Sequence, residues 1–364
     1  MESRREFLQT VAATTAGIAL TDGVAQAGPP TLPGAPAVHP PEPEEGRLKQ
    51  FWNETVKDLV TLPTPQLTPA EVERHLIYCG LLSSLVVHYW NGNKRGKDGE
   101  YPWRPKQQVS NKQYQGGDYL GHNIACLAVD AEGEVIDFDF NHNEVFSSSV
   151  EHAESRLIRR IFSLTQINNG WATKGIMAPA APTTYSNLLS DVTVYTSLES
   201  CSQCSGIMAL GSVKEVVYLH RDPGQNSIGN ILRQLSPEKS SFKAPLPIPA
   251  DVLGFNAFTE LGTAYERFAK EVGKTPFFKP TVGKPDTSNS ITSFLCTDLA
   301  LDIFKQAKQD FDNLQTVKYA DHVPSTDDGK PVPNALTNQR VLEHARAFFA
   351  YGSTEGKRGT PHQM

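Results

Sequence analysis

Two short segments of the sequence bring together side chains that bind transition metals. Residues 151–156 read Glu-His-Ala-Glu-Ser-Arg, and residues 197–206 read Ser-Leu-Glu-Ser-Cys-Ser-Gln-Cys-Ser-Gly. Together they supply one imidazole, two thiols and one further carboxylate. A catalytic zinc site uses three protein ligands and leaves the fourth position open for water. The two segments therefore predict a Zn²⁺ site with His152, Cys201 and Cys204 as its ligands.

The predicted helices around these segments favour the same chemistry. His152 lies near the start of one helix, while Cys201 and Cys204 share a face of the first turn of another. The partial positive charge at a helix start stabilises thiolates. A His/Cys/Cys set suits zinc better than magnesium or calcium, which require oxygen ligands. Glu154 is the predicted catalytic acid/base, because a carboxylate beside zinc-bound water can move its proton.

Each half of the pattern also has a simpler interpretation. His-Ala-Glu alone occurs on the surface of ordinary helices, and Cys-Ser-Gln-Cys alone suits a redox pair or a structural zinc site. In this order, the two segments resemble the cytidine/deoxycytidylate and nucleobase zinc deaminase superfamily. The resemblance covers roughly residues 120–235. It implies a cytidine deaminase-like fold and a hydrolase that releases ammonia from a base.

The resemblance extends to residues outside the metal segments. The run Lys214–Tyr218 followed by Arg221-Asp-Pro looks like the strand and loop of the tRNA-adenosine and guanine deaminase branch. Asn141 matches the family asparagine that hydrogen-bonds the substrate; its simpler interpretation is a turn residue at the end of a hairpin. Ser200 departs from the family, which usually has proline before the first cysteine.

The elements that must position these residues follow from the hydrophobic pattern. A helix is predicted from Thr68, with strands at 124–129, 135–140, 192–196 and 215–219 and helices at about 150–164 and 201–210. Strands that alternate with helices indicate an α/β protein: a three-layer α/β/α sandwich around a mixed sheet, with a helical C-terminal extension.

The chain is predicted to contain five parts. Residues 1–27 form a signal peptide, 28–46 a proline-rich tether, 47–116 N-terminal helices and a loop, 117–238 the zinc deaminase core, and 239–364 the mostly helical extension. Within the core, residues 165–188 form a Gly/Pro/Thr-rich insertion. Within the extension, helices are expected at 255–272, 291–314 and 334–350.

The N-terminal residues predict export. Ser3-Arg-Arg-Glu-Phe-Leu8 resembles the twin-arginine signal, and Ala25-Gln-Ala27 provides a cleavage site. A periplasmic or secreted protein is therefore expected. The apolar stretch between these motifs is far shorter than the ~20 residues that a membrane-spanning helix needs, and no later segment is long enough.

Charge and composition narrow the substrate class. The chain has 364 residues and a formal net charge of -6, so it lacks the basic surface expected of a nucleic-acid binder. The leading hypothesis is a zinc hydrolase that deaminates a free nucleobase or nucleoside. A deaminase of nucleic acid and a non-catalytic, zinc-stabilised binding module are the alternatives. Relatives in the family are often dimers or tetramers, so a homo-oligomer is suggested by analogy alone, and the sequence does not give the oligomeric state.

Overall fold

The computed structural model describes residues 49, 54–93, 101–102, 121–144, 146–172, 189–236, 243–274, 289–326 and 328–354. The predicted signal peptide and the proline-rich tether lie outside the described residues. The elements below all belong to one unit, Thr55–Met364.

The described part of this unit contains nine α-helices and five strands. In chain order they are α1 (Val56–Leu59), α2 (Pro69–His88), β1 (Ala125–Val129), β2 (Val135–Phe140), α3 (Ala153–Ala172), β3 (Thr193–Thr196), α4 (Ser202–Leu210), β4 (Glu215–Tyr218), α5 (Ile228–Leu235), β5 (Leu246–Pro249), α6 (Asn256–Val272), α7 (Ile291–Phe294), α8 (Asp298–Asn313) and α9 (Asn338–Thr354).

The five strands form one mixed sheet in the order β2-β1-β3-β4-β5. β1 runs antiparallel to both of its neighbours, with Cys126 opposite Thr196 in β3. β3, β4 and β5 are parallel to one another. The carboxyl ends of parallel strands meet at one edge of a sheet, which is where α/β proteins place their sites.

Two neighbouring residues of β3 show that helices cover both faces of the sheet. The Tyr195 hydroxyl lies 2.8 Å from Nδ1 of His75 in α2. The next side chain, Thr196, donates a hydrogen bond to Glu154 in α3. Successive side chains of a strand point to opposite faces, so α2 and α3 cover different sides. This confirms the predicted layered α/β architecture with a mixed sheet.

The C-terminal helices pack outside the layer formed by α2. Both α8 and α9 contact α2, and α6 contacts α8. α2 begins after Thr68, as predicted, and a capping box sets this start: Thr68 Oγ1 accepts from the Glu71 N–H, and the Thr68 N–H donates to Glu71 Oε2 at 2.7 Å. The molecule therefore has extra helices beyond the three layers of the sandwich.

The structure differs from the sequence predictions in four elements. The helix that follows His152 continues to Ala172, well into the predicted insertion, and the first proline in that segment is Pro179. Residues 291–314 form two helices rather than one, because Thr297 accepts from the Ala300 N–H and begins α8. Helix α5 and strand β5 were not predicted, and β5 completes the sheet from within the C-terminal extension.

Prolines explain why the fifth strand escapes prediction. β5 reads Leu-Pro-Ile-Pro, and proline cannot donate to a strand ladder. The strand lies at the edge of the sheet, where this loss is tolerated. Among the described helices, none combines the length and apolar character needed to cross a bilayer.

Candidate active site

The three predicted metal ligands lie at the starts of two helices. His152 directly precedes α3, and its carbonyl accepts the Arg156 N–H at 3.0 Å, so it opens that helix. Cys201 is the N-cap residue of α4, and its carbonyl accepts the Ser205 N–H at 2.8 Å. Cys204 lies one turn later, on the same side. The partial positive charge of both helix starts therefore faces the ligand atoms.

The distances between the ligand atoms fit a tetrahedral zinc ion. His152 Nδ1 lies 3.3 Å from Cys201 Sγ and 3.6 Å from Cys204 Sγ, and the two sulfurs are 3.5 Å apart. Zinc–sulfur and zinc–nitrogen bonds of about 2.3 and 2.0–2.1 Å give tetrahedral edges of about 3.5–3.8 Å. The sulfurs are too far apart for a disulfide bond, and both cysteines are free. The donor atoms therefore lie within about 0.3 Å of the spacing that a tetrahedral zinc ion requires.

The thiols and the imidazole share protons in a way that prepares them for a metal. The hydrogen bond from Cys204, aided by His152, lowers the pKa of Cys201 to about 4. The same contact and burial raise the pKa of Cys204. The Cys201 contact also raises the pKa of His152. These shifts favour the thiolate form of Cys201, and metal binding releases the protons that remain on Cys204 and His152.

Cys204 is held by a small polar network between α3 and α4. The Ser155 hydroxyl lies 3.6 Å from the Cys204 sulfur. Gln203 donates to Ser155 Oγ at 2.8 Å and to the carbonyl of Val150 at 3.0 Å. These contacts tie the loop before α3 to the first turn of α4. They fix the spacing of the two helix starts that carry the ligands.

Glu154 lies in the first turn of α3, beside the ligands. Its side chain is buried, and burial raises the pKa of its carboxyl. One oxygen, Oε1, accepts hydrogen bonds from the hydroxyls of Thr196 and Ser200, both at 3.1 Å. The other oxygen, Oε2, lies 3.4 Å from Cys204 Sγ. The carboxylate thus points one oxygen at the metal ligands and holds the other in a hydroxyl cradle.

Asn141 follows the last residue of β2 and faces the same helix start. Its Oδ1 accepts the Ala153 N–H at 2.7 Å. A side-chain amide has one acceptor and one donor end, so this bond directs the NH₂ group away from the helix. Asn141 is buried and lines the same cavity as the ligands.

A cavity of about 290 Å³ opens onto the predicted site. Four of the predicted site residues line it: Asn141, His152, Glu154 and Cys201. Cys204 lies behind them, fully buried. The other lining residues are His122, Ile124, Asn143, Ser149, Leu198, Glu199, Asp222, Gln225 and Thr292. The structure therefore brings the predicted residues together around one polar cavity.

The sequence analysis missed several residues of this cavity wall. Asp222 and Gln225 follow β4, whose carboxyl end adjoins that of β3, so a parallel β3–β4 pair would have placed them here. Thr292 comes from α7, in the C-terminal extension. No motif or spacing in the sequence connects Thr292 to the metal segments.

A larger cavity, of about 470 Å³, lies between α2, α6 and α8. Its walls combine apolar side chains such as Leu76, Ile303 and Phe311 with Glu260 and Asp310. It contains none of the predicted site residues. Size alone therefore does not identify the reactive site, and the ligand cluster His152, Cys201 and Cys204 does.

Comparison with known protein families finds a match for the region that contains these residues. Residues 105–220 match the family described as "Cytidine and deoxycytidylate deaminase zinc-binding region". No curated protein sequence matches the chain.

Three solved structures are similar to about a third of the chain. One, from studies of A-to-I editing by tRNA:A34 deaminases, is 20% identical and covers 35% of this chain and 82% of its own, with a TM-score of 0.24. A guanine deaminase from Nitrosomonas europaea is 18% identical over 37% of this chain and 72% of its own, with a TM-score of 0.23. A structure in complex with 2,6-diaminopurine is 19% identical over 36% and 67%, with a TM-score of 0.24.

The matched residues include the whole predicted ligand set, with its histidine before α3 and its cysteines at the start of α4. The chain therefore contains a zinc-binding region of the cytidine and deoxycytidylate deaminase family, and His152, Cys201 and Cys204 form its candidate zinc site.

Proposed function

We propose that the protein is a zinc hydrolase that deaminates a free nucleobase or nucleoside. One observation carries the proposal: Glu154 and two candidate zinc ligands, His152 and Cys201, line one cavity of about 290 Å³, with Cys204 buried behind them. Pockets that bury drug-sized ligands have volumes of about 300–1,000 Å³, so this cavity lies at the small end of that range. The site therefore combines a metal-binding set, a proton carrier and room for a small ring.

Glu154 moves the protons of the proposed reaction. When bound, zinc supplies a Lewis acid that makes a water molecule acidic enough to react near neutral pH. Glu154 accepts a proton from that water at Oε2 and delivers it to the ring nitrogen of the base. The water oxygen bonds to the amino-bearing carbon, Glu154 carries the second water proton from that oxygen to the amino group, and the carbon–nitrogen bond breaks to release ammonia. Burial of Glu154 favours this role, because it raises the pKa of the carboxyl toward neutral pH.

Asn141 is proposed to orient the substrate. Its oxygen is occupied by the Ala153 N–H, so its NH₂ group is the end that can donate into the cavity. A carbonyl or ring nitrogen of a base is a suitable acceptor. The residue therefore recognises an acceptor edge and takes no part in proton transfer.

The charges around the cavity favour a free base over a polynucleotide. Among the described residues that line the cavity, none is lysine or arginine, while Glu199 and Asp222 are acidic. Binding of a phosphate backbone depends on cationic side chains. The formal net charge of -6 acts in the same direction. A neutral or cationic ring therefore suits this site better than a nucleic acid.

A panel assay for ammonia tests the proposal. The zinc-loaded protein is incubated with nucleobases, nucleosides, nucleotides and short oligonucleotides. We expect ammonia from at least one free base or nucleoside and none from oligonucleotides. Turnover of oligonucleotides alone would instead support a nucleic-acid deaminase. No turnover across the panel, with zinc bound, would support the non-catalytic binding module.

Export of the protein is a separate proposal, supported by Arg4, Arg5 and the Ala25-Gln-Ala27 sequence. Replacement of both arginines by lysine should retain the uncut precursor in the cytoplasm, because the twin-arginine signal requires that pair. Immunoblots of cell fractions measure the outcome. Normal processing of the double variant would contradict the twin-arginine route.

A further inference from the structure

Ser200 differs from the residue expected at its position and contacts Glu154 directly. The family resemblance places proline immediately before the first cysteine, and this chain has serine there. The Ser200 hydroxyl donates to Glu154 Oε1 at 3.1 Å. Ser200 is only 4% exposed, so water does not compete freely for this bond. A proline could not make it, because its ring carries no donor.

A second hydroxyl reaches the same oxygen from β3. Thr196 Oγ1 lies 3.1 Å from Glu154 Oε1 and 3.1 Å from the carbonyl of Leu198. A hydroxyl has one proton, so Thr196 divides its donation between these two acceptors. Ser200 has Glu154 as its acceptor among the described residues. The Thr196 hydroxyl is therefore shared between two acceptors, whereas the Ser200 hydroxyl donates to Glu154.

Both bonds end on one oxygen of the carboxylate, and this fixes its orientation. With Oε1 held by two hydroxyls, Oε2 is the oxygen that lies toward Cys204 and the other ligands. Rotation of the carboxylate would remove Oε1 from its donors inside a buried site. An unsatisfied buried polar group is costly, and bonds to charged groups are the strongest of their kind.

We propose that Ser200 is a positioning residue that holds Glu154 with Oε2 toward the metal-activated water. This inference rests on the proposed function for its kinetic consequences but not for its structural one. Loss of the hydroxyl should allow Glu154 to sample other orientations. Since proton transfer depends on Glu154 and binding of the ring does not, kcat should fall by about tenfold to a hundredfold while KM stays within about twofold.

Three substitutions of Ser200 distinguish the effect of its hydroxyl from the effect of the backbone conformation. Ser200→Ala removes the donor. Ser200→Pro removes the donor and restores the family residue, with its rigid backbone. Ser200→Thr keeps a hydroxyl on the same atom. Ser83→Ala is the matched control, because it removes another fully buried serine hydroxyl, one that donates to Cys79 in α2 on the opposite face of the sheet.

Zinc content, kcat, KM and a crystal structure of the zinc-loaded protein are measured for each variant. We expect equal zinc in all of them, lower kcat in the alanine and proline variants, and kcat within about threefold of wild type in the threonine variant and the control. In the crystal structure of Ser200→Ala, the Glu154 carboxylate should be turned or present in two orientations.

Two results would overturn the inference. Wild-type kcat in Ser200→Pro would show that the hydroxyl is not needed, and an unmoved Glu154 in the Ser200→Ala structure would show that it does not orient the carboxylate. If the wild-type protein turns over no substrate, the proposed function fails. The crystal structures then decide the positioning role alone.

Discussion

The zinc-binding region and the C-terminal helices depend on different kinds of contact. In the first, a few polar groups meet where strands end and helices begin, as Glu154, Ser200 and Cys201 do. In the second, apolar side chains recur along each helix and turn inward, as Leu301, Phe304 and Phe311 do in α8. The first arrangement positions single atoms, and the second provides distributed packing.

The two regions meet through α2. This helix covers β1 and β3 on one side and contacts α8 and α9 on the other. At the α8 contact, a Cβ added to Gly80 would lie 2.8 Å from the Phe311 ring, so only glycine permits this close approach. The C-terminal helices therefore support the sheet through a tight helix contact, while the metal ligands lie on the opposite layer. Substitutions in the C-terminal helices should therefore change stability, and substitutions at the metal ligands should change zinc binding and turnover.

The largest expected effect comes from a ligand. Cys204→Ala should lose zinc and all turnover, because two ligands cannot maintain a catalytic tetrahedral site. It should also lose the stabilisation that bound zinc provides, about 2.7 kcal/mol when free zinc is 100-fold above its Kd. Elemental analysis, with melting temperatures before and after chelation, measures both losses.

Cys126→Ala is the control for this ligand variant, because Cys126 is equally buried, in β1, and is not a predicted ligand. It should keep one zinc per chain. Equal zinc in the two variants would refute the ligand assignment.

A smaller but still large effect is expected from the proton carrier. Glu154→Gln should keep zinc and lower kcat by ~10²–10⁴-fold, because an amide cannot carry the proton. Its melting temperature should change little, since a buried carboxylate is replaced by a neutral group of the same shape. Turnover, zinc content and melting temperature are measured on one preparation.

Glu215→Gln makes the same chemical change at a buried carboxylate that bonds Thr193 and lies outside the cavity. This control should keep its turnover. Undiminished kcat in Glu154→Gln would rule out the proposed mechanism and leave a structural metal site.

In the C-terminal region, a core substitution is expected to lower stability and to leave zinc binding and turnover unchanged. Phe304 is fully buried in α8, and Phe304→Ala should lower the free energy of unfolding by ~3–5 kcal/mol through a cavity. Zinc content and kcat of the folded protein should not change. Urea unfolding monitored by circular dichroism measures the loss, and Phe304→Leu should lose less. A drop in kcat well below the melting temperature would mean that the two regions are not separable.

The candidate metal ligands could be predicted from the sequence because they lie in two local segments. His152 and Glu154 lie within one helical turn, and so do Cys201 and Cys204, so helical spacing alone places each pair. The start of α2 was predictable for the same reason, since the Thr68–Glu71 capping box is a contact over three residues. Local spacing does not show that the two segments meet in the fold, and that expectation came from the family resemblance.

The remaining features depend on contacts that are distant in the chain. β5 contains Pro247 and Pro249, which oppose a strand locally, and only its edge position beside β4 makes it one. α3 extends to Ala172, beyond its predicted end at about residue 164, because the Gly/Pro/Thr-rich composition of residues 165–188 does not show where a helix ends. Thr292 reaches the cavity only through the packing of α7, which no local pattern indicates.

The smallest expected effect concerns Thr292, the residue of the described C-terminal helices that lines the cavity. Thr292 lines the cavity from α7, and its hydroxyl lies 3.0 Å from Ser290 Oγ. Thr292→Val keeps the shape of the side chain and removes the hydroxyl. Loss of one hydrogen bond to a neutral ligand is worth ~0.5–1.5 kcal/mol, so KM should rise by about two- to tenfold.

This change should leave kcat unaltered, because Thr292 does not contact Glu154 or the metal ligands in the described structure. Steady-state kinetics on the best substrate of the panel measure the split, and Thr354→Val, at the exposed end of α9, is the control. An unchanged KM would restrict the C-terminal helices to packing. A selective rise in KM would mean that a segment outside the matched family region helps to choose the substrate, which would explain how one zinc chemistry is directed to a particular base.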